Sequence, residues 1–312
     1  MNPRSRVLRL LRISRTVSDL NKTLAFYTGA LGFSISREVR VDEPAWGTLM
    51  AIPGAHGHSS LLRLGEQELE LLTFNPPGRP YPPASKTTDF RFQHIAVVVS
   101  DMDKAYARLC QFPFMAITEH GPQRLPSNTG SVIAFKFRDP DGHPVELIHF
   151  PAGTGDTAWQ SRDEVFLGID HSAIDVANLE ASIDFYTRLL GLSVESRSVN
   201  TGPEQVRLDH APDVLVEVVA LQPAMQGLPH LELLGYAQPA SGFLPVDPKS
   251  NDIVADRTVL QVNDLPRLMK ALDAESVKFI SPQIATMRNG DRAVLVRDPT
   301  GHILMLMELH SV

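Results

Sequence analysis

One cysteine in 312 residues, Cys110, leaves no internal disulfide and no thiolate metal cluster, so nothing in the chain asks for an oxidising compartment. Long apolar runs are missing too, and none approaches the ~18 uninterrupted residues of a membrane helix. Positive charge is not in surplus: the formal net charge is -7, which argues against a nucleic-acid binder, whose phosphate contacts need Lys and Arg. Low hydrophobic content is also absent. With 43% hydrophobic and 21% charged residues and a mean hydropathy of -0.07, the composition excludes disorder and coiled coil. What is left is a globular chain, expected in the cytoplasm as a monomer or homodimer, with a small molecule as its partner. Its length exceeds the ~250 residues at which single cores stop growing, so more than one core is expected.

Arg4, Arg6, Arg9, Arg12 and Arg15 precede any acidic residue. This stretch lacks the apolar centre of a signal peptide and reads as a short basic arm leading into a first strand.

The chain repeats itself. Leu20 to Gly32 returns as Leu179 to Gly191, with Phe26-Tyr27-Thr28 matching Phe185-Tyr186-Thr187, and Asp139-Pro-Asp-Gly-His143 returns as Asp298-Pro-Thr-Gly-His302, both at an offset of 159 residues. Each half divides again, because Val17-Ser-Asp-Leu20 recurs as Val99-Ser-Asp-Met102, Val176-Ala-Asn-Leu179 and Val262-Asn-Asp-Leu265. Four modules follow. In the first, Asp19 is a helix cap, Leu20, Leu24, Tyr27 and Leu31 share one helical face, and Gly32 closes the helix. Strand-like runs come next, around 60–64, 68–74, 132–137 and 145–150, with turn residues such as Asp139 to Gly142 between them. Each unit reads βαβββ. Proline-rich segments at 76–83 and 239–248 separate modules within each half, and a Gly-rich linker at 152–164 joins a first domain, 7–151, to a second, 165–310.

Two positions stand out. Seven residues before each capping Asp or Asn lie Arg12, His94, His171 and Arg257. Strand alternation puts His94 with Ala96 and Val98, and His171 with Ala173 and Asp175, leaving Ile95, Val97, Ile174 and Val176 for the opposite face. In the last strand of each module the equivalent residues are Glu70, Glu146, Glu232 and Met305. A single His on a strand is usually a hydrogen-bonded core or rim residue, and a single Glu in an apolar strand usually faces water. Their recurrence in register is what raises a ligand role. The remaining histidines, His56, His58, His120, His143, His149, His210, His230, His302 and His310, read mostly as turn or terminal residues.

His171-Ser-Ala-Ile-Asp-Val176, followed by Ser182 to Leu192, resembles the opening strand and helix of the vicinal oxygen chelate superfamily, which includes glyoxalase I, extradiol dioxygenases and bleomycin-resistance proteins. Ser172 departs from the apolar residue usual there. Asp139 to Leu147 resembles the family's closing hairpin. The resemblance implies an α+β fold of tandem βαβββ modules paired into two cupped, barrel-like mixed sheets. It implies His94, Glu146, His171 and Glu232 as ligands of a divalent metal (Zn, Ni, Mn or Fe), with Glu146 or Glu232 as the catalytic base at a raised pKa. These four residues share one cup only if the halves exchange partners, modules two and three forming one cup and one and four the other. Neighbour pairing would place an arginine in each cup. Under the exchanged pairing, which one complete set of two His and two Glu favours, the outer cup would hold Arg12 and Arg257, contacting an anionic group of a ligand or paired with glutamates.

On this resemblance the chain is a glyoxalase-like, metal-dependent isomerase or lyase acting on a small oxygenated metabolite through chelation and enolate stabilisation. An extradiol ring-cleaving dioxygenase and a metal-free binding protein are the alternatives. The dioxygenase is disfavoured by Ala134-Phe-Lys-Phe-Arg138, which lacks the His and Tyr usual before that hairpin.

Overall fold

The computed structural model describes residues 6–310 apart from 84, 162, 241 and 243–246. Arg4 of the basic arm, Arg162 of the linker and part of the boundary at 239–248 lie outside the described residues.

The first module runs β1 (Val7–Thr16), α1 (Leu20–Leu31), β2 (Ser34–Val41), a short α2 (Pro44–Leu49), β3 (His56–Leu64) and β4 (Gln67–Asn75). The second has β5 (Gln93–Val99), α3 (Met102–Leu109), the two-residue strands β6 (Met115–Ala116) and β7 (Gln123–Arg124), then β8 (Ile133–Arg138) and β9 (Pro144–His149). In the third come β10 (Phe166–Asp175), α4 (Leu179–Asp184) continued by a π-turn at Phe185–Leu189, β11 (Ser193–Thr201), α5 (Pro203–Asp209), β12 (Leu215–Gln222) and β13 (His230–Gln238). The fourth has β14 (Arg257–Val262), α6 (Leu265–Ala274), β15 (Ala285–Thr286), β16 (Arg292–Arg297) and β17 (Ile303–Glu308).

The helices start where the sequence caps them. Asp19, Asp101, Asn178 and Asp264 each accept a hydrogen bond from the backbone N–H three residues on, satisfying a donor that the first helical turn leaves free. Gly32 ends α1 at φ +74°, a left-handed conformation that a side chain would strain. The basic arm is largely strand: Arg9, Arg12 and Arg15 belong to β1, and Arg15 is fully buried.

The sheets cross the halves. One has the order β15-β16-β17-β14-β1-β4-β3-β2 and joins modules four and one; the other runs β11-β12-β13-β10-β5-β9-β8-β6, with β7 against β8, and joins modules three and two. The central contacts are antiparallel, β1 with β14 and β5 with β10, while β4, β9, β13 and β17 lie parallel to their opening strands. The fold is therefore α+β, four βαβββ modules in two curled mixed sheets. Ile95, Val97, Ile174 and Val176 face a core shared with Ile13, Leu69 and the helix residues Phe26 and Phe185, so the apolar strand faces and helices lie between the sheets and each His-bearing face is left to its own cup.

The repeated motifs contact one another within each half. The Tyr27 hydroxyl donates to Asp139 at 3.0 Å, and the Tyr186 hydroxyl to Asp298 at 3.0 Å. Arg15 Nε donates to Asp256 at 2.9 Å and its Nη1 to the Tyr27 oxygen at 2.7 Å; His143 lies 3.1 Å from Asp139 and 2.8 Å from the Ile253 carbonyl. Burial alone would raise the Asp139 pKa, but His143 and Arg15 more than offset it and bring it down to about 2. His143 moves the other way, above its ordinary value, because Asp139 and Asp256 outweigh its burial.

The signs fix a pH window. The depressed Asp139 contributes stability that is present above its unfolded pKa near 3.8 and is lost as pH falls through about 2, worth about 2 kcal/mol. The raised His143 contributes below its unfolded pKa near 6.5 and loses that contribution as pH rises through its folded value. Denaturant midpoints measured from pH 2 to 9 are expected to fall at both ends, and Asp139→Asn is expected to flatten both slopes.

Candidate active site in the inner cup

The pairing of β5 with β10 builds the site. His94 lies opposite Ala173 and His171 opposite Ala96, so the imidazoles are diagonal neighbours on one face with two alanines between them. On the flanking strands Glu146 sits beside Ala96 and Glu232 beside Ala173. Small side chains at the centre and functional ones around them make a hollow. It is a cavity of about 390 Å³, with Leu125, Val132, Ile148 and Leu208 among its apolar walls.

His94 Nε2 and His171 Nε2 converge on one oxygen, Glu146 Oε2, at 3.0 and 3.7 Å. These three residues present one donor atom each, all within 4.8 Å of one another. Glu232 reaches the group through His171, its Oε2 lying 3.5 Å from Nε2. Two imidazoles and a carboxylate, with a second carboxylate beside them, are donors that a zinc, nickel, manganese or iron(II) ion accepts.

Behind His171 lies a support that sequence reasoning missed. Asp170 accepts from His171 Nδ1 at 2.9 Å and from the Trp159 indole at 2.6 Å, which turns Nε2 toward the cavity. Trp159 comes from the linker between the halves and packs where residue 168 is glycine. A Cβ there would stand 2.8 Å from the indole ring and 2.2 Å from Gln67. Asp170 was visible only as a polar neighbour of His171. Nothing in the sequence linked it to Trp159.

Four further residues were placed differently. His230 begins β13, is mostly buried and lies 3.4 Å from Glu232, so it belongs to the site rather than to a turn. His56, His58 and His149 are strand residues as well. Beneath Glu146, the buried Lys136 ammonium donates to Asp209 at 2.7 Å, and Asp209 also accepts from Gln205 and the Tyr236 hydroxyl.

Without a cation, the charges inside the cup work against the effect of burial on its carboxylates. Burial raises Glu146, but Lys136, His171 and His94 carry it well below its ordinary value. Glu232 is likewise raised by burial and then lowered to about 2, mainly by His171. Burial lowers both imidazoles; for His94 it prevails, whereas Glu232, Asp170 and Glu146 lift His171 well above the ordinary value. The metal-free cup therefore favours the protonated form of His171 and the neutral form of His94, while Lys136 and Arg197 also bring positive charge to the lining.

The outer cup departs at three of the four equivalent positions and keeps a glutamate, Glu70, at the fourth. Arg12 Nε lies 3.5 Å from Glu70 Oε2, Met305 stands beside Val259, and Arg257 is fully buried, donating to the Ser250 carbonyl and the Thr16 hydroxyl. Arg257 is therefore a structural cation whose bonds are made inside the protein. Residues 42–59 carry α2 over the outer cup and 120–130 border the inner one, while Arg79, in the proline-rich segment at 76–83, is ion-paired with Asp252.

A family model described as glyoxalase/bleomycin resistance protein/dioxygenase superfamily matches residues 9–147 and again 168–306. A lactoylglutathione lyase of Arabidopsis thaliana is 27% identical over 184 residues, 59% of this chain and 55% of that protein, so the chain spans about half the length of this relative. The lactoylglutathione lyase of Salmonella typhimurium is 30% identical over 141 residues, 45% of this chain and 92% of that one. Among solved structures, glyoxalase I from Zea mays superposes with a TM-score of 0.63 at 18% identity, covering 96% of this chain and 92% of the other, a likeness of fold. No described helix is long and apolar enough to cross a membrane. Since the family model matches both halves, over most of the chain, this protein belongs to the glyoxalase/bleomycin resistance protein/dioxygenase superfamily.

Proposed function

We propose that the inner cup is the active site of a metal-dependent lyase or isomerase of the glyoxalase type, with His94, Glu146, His171 and Glu232 holding one divalent cation. The observation that carries this reading is the convergence of both imidazole Nε2 atoms on one Glu146 oxygen inside a cavity. The names of the matched relatives favour a small oxygenated substrate of the lactoylglutathione kind, a metabolite or its thiol adduct. A cation here would polarise adjacent oxygens of the substrate and stabilise charge as a neighbouring proton leaves.

The chain's own residues supply the rest. Glu146 is fixed by His94 and Lys136 and is the less accessible carboxylate. Glu232, whose side chain is 19% exposed against 7% for Glu146, is placed to take a proton from a carbon beside the carbonyl and return it to the next one. Glu232 would act as the base only when not itself bound to the cation, and His171 Nε2, 3.5 Å away, keeps it at the site. Asp170 and Trp159 keep the ring in place, and the apolar walls limit water.

The test is metal analysis of chain purified without chelator, expected to give about one equivalent per chain; no bound metal would instead support a sequestering protein, and iron alone a dioxygenase. Asp170→Asn is expected to weaken metal affinity by roughly 10–100-fold, as loss of a partner behind a ligand does, read by competition with a chelating dye.

A further inference from the structure

The outer cup has a cavity of its own, about 330 Å³, and its lining is of a different kind. The walls are apolar: Trp46, stacked on Phe74 with ring centroids 4.6 Å apart, together with Leu72, Met305 and Met307. Into this lining comes one mostly buried cation. Arg12 has a side chain only 17% exposed, and its Nε is buried without a hydrogen-bond partner. Glu70 Oε2, 3.5 Å away, is its ion-pair partner but makes no hydrogen bond to it, and the other oxygen of that carboxylate accepts from the Ser59 hydroxyl at 2.7 Å. The neighbouring Arg15 and Asp256 pair with each other at 2.9 Å. On the floor of the cavity Arg12 thus stands beside one carboxylate, with the fully buried Arg257 behind it, outside the lining.

A buried guanidinium with unused donors is costly unless an acceptor reaches it, and a charged acceptor makes the strongest bond. Met305 stands where the inner cup has Glu232 or Glu146, so no second carboxylate from the protein supplies that acceptor. We propose that the outer cup is a metal-independent binding site for a small amphipathic monocarboxylate, its carboxylate on Arg12 and its apolar body against Trp46, Met305 and Met307. The volume falls within the range of small-ligand pockets, and a few polar groups in an apolar lining are what such sites present. The rim carries both signs, Arg37, Arg40 and Arg288 against Asp42, Glu43 and Asp291, so the selectivity comes from the floor.

Octanoate is a suitable probe, and Trp46 a suitable reporter, since the chain has two tryptophans and the other, Trp159, belongs to the inner cup. In the full chain carrying Trp159→Phe, octanoate is expected to change Trp46 fluorescence saturably, with octanol, equal in chain length but uncharged, at least tenfold weaker. Arg12→Met is expected to remove the preference for octanoate over octanol. Met305→Glu gives Arg12 a carboxylate from the protein and is expected to weaken octanoate at least tenfold while the thermal midpoint holds or rises. Equal binding of the two probes, or octanoate binding unchanged in Met305→Glu, would overturn the assignment. Because the signal arises in the outer cup, a failure here is separable from a failure of metal binding in the inner one.

Discussion

His171→Ala is expected to empty the inner cup, reducing bound metal from about one equivalent per chain to background and abolishing turnover of a lactoylglutathione-type substrate. Losing a residue that only supports a ligand costs roughly 10–100-fold in affinity, so losing the ligand itself should cost at least about 100-fold. Three features make His171 the position to test. Its Nε2 lies near both Glu146 and Glu232, its Nδ1 is held by Asp170, and its β10 comes from the half of the chain that does not contribute His94. Glu70→Gln, at the outer-cup place equivalent to Glu146 and Glu232, is expected to leave the metal content unchanged. Metal retained in His171→Ala, or lost in Glu70→Gln, would show that the cation belongs elsewhere. Inductively coupled plasma analysis of gel-filtered protein, with circular dichroism to verify folding, measures both.

The second large effect is on stability. Asp209→Ala is expected to destabilise the fold by about 3–5 kcal/mol, the usual consequence of leaving a buried charge unpaired. Lys136 is held ionised against the pull of its own burial chiefly by Asp209, 2.7 Å away across 73 residues of sequence. The same carboxylate is the acceptor for Tyr236 and Gln205, so its removal orphans two further donors. Lys136→Met combined with Asp209→Leu removes both charges and is expected to recover much of the loss, since a buried ion pair is often no more stabilising than apolar residues of similar volume. Urea denaturation of Lys136→Met, Asp209→Leu and the double variant measures the coupling directly. A double variant as unstable as Asp209→Ala would show that packing around Tyr236, and not the charge, accounts for the effect. The double variant also withdraws the Lys136 charge that lowers the Glu146 pKa, so the metal affinity of that site becomes a second readout.

Four capped helices, the strands before them and the period of the modules were legible because each is a local property. A capping aspartate acts on a backbone group three residues away, and alternation along a strand sorts side chains within a few residues. His94 and His171 could therefore be assigned to the polar faces of their strands, and Glu146 and Glu232 to equivalent places. The β5–β10 pairing that sets the histidines on a common face is not local. Equivalent opening strands allow modules to pair within or between the halves, and only the edges that actually meet decide between them. That choice places Arg12 and Arg257 on the opening strands of the outer cup and leaves histidine at both equivalent places of the inner one.

The support of the site was still less accessible. Trp159 sits in a segment that reads as a linker, and its contact with Asp170 requires Gly168 and the path of the chain between the halves. The directions in which the carboxylates of the metal-free cup shift were not legible either, because the sequence suggests burial alone, whereas Lys136 and His171 act through space from strands distant in the chain. By itself, then, the sequence determined the repeat, the capped helices and the register at which imidazole and carboxylate recur, since these depend on neighbours along the backbone. Tertiary structure alone decided which modules share a sheet, which charges face one another and how strongly each acid holds its proton, because electrostatic energy follows distance and burial in space.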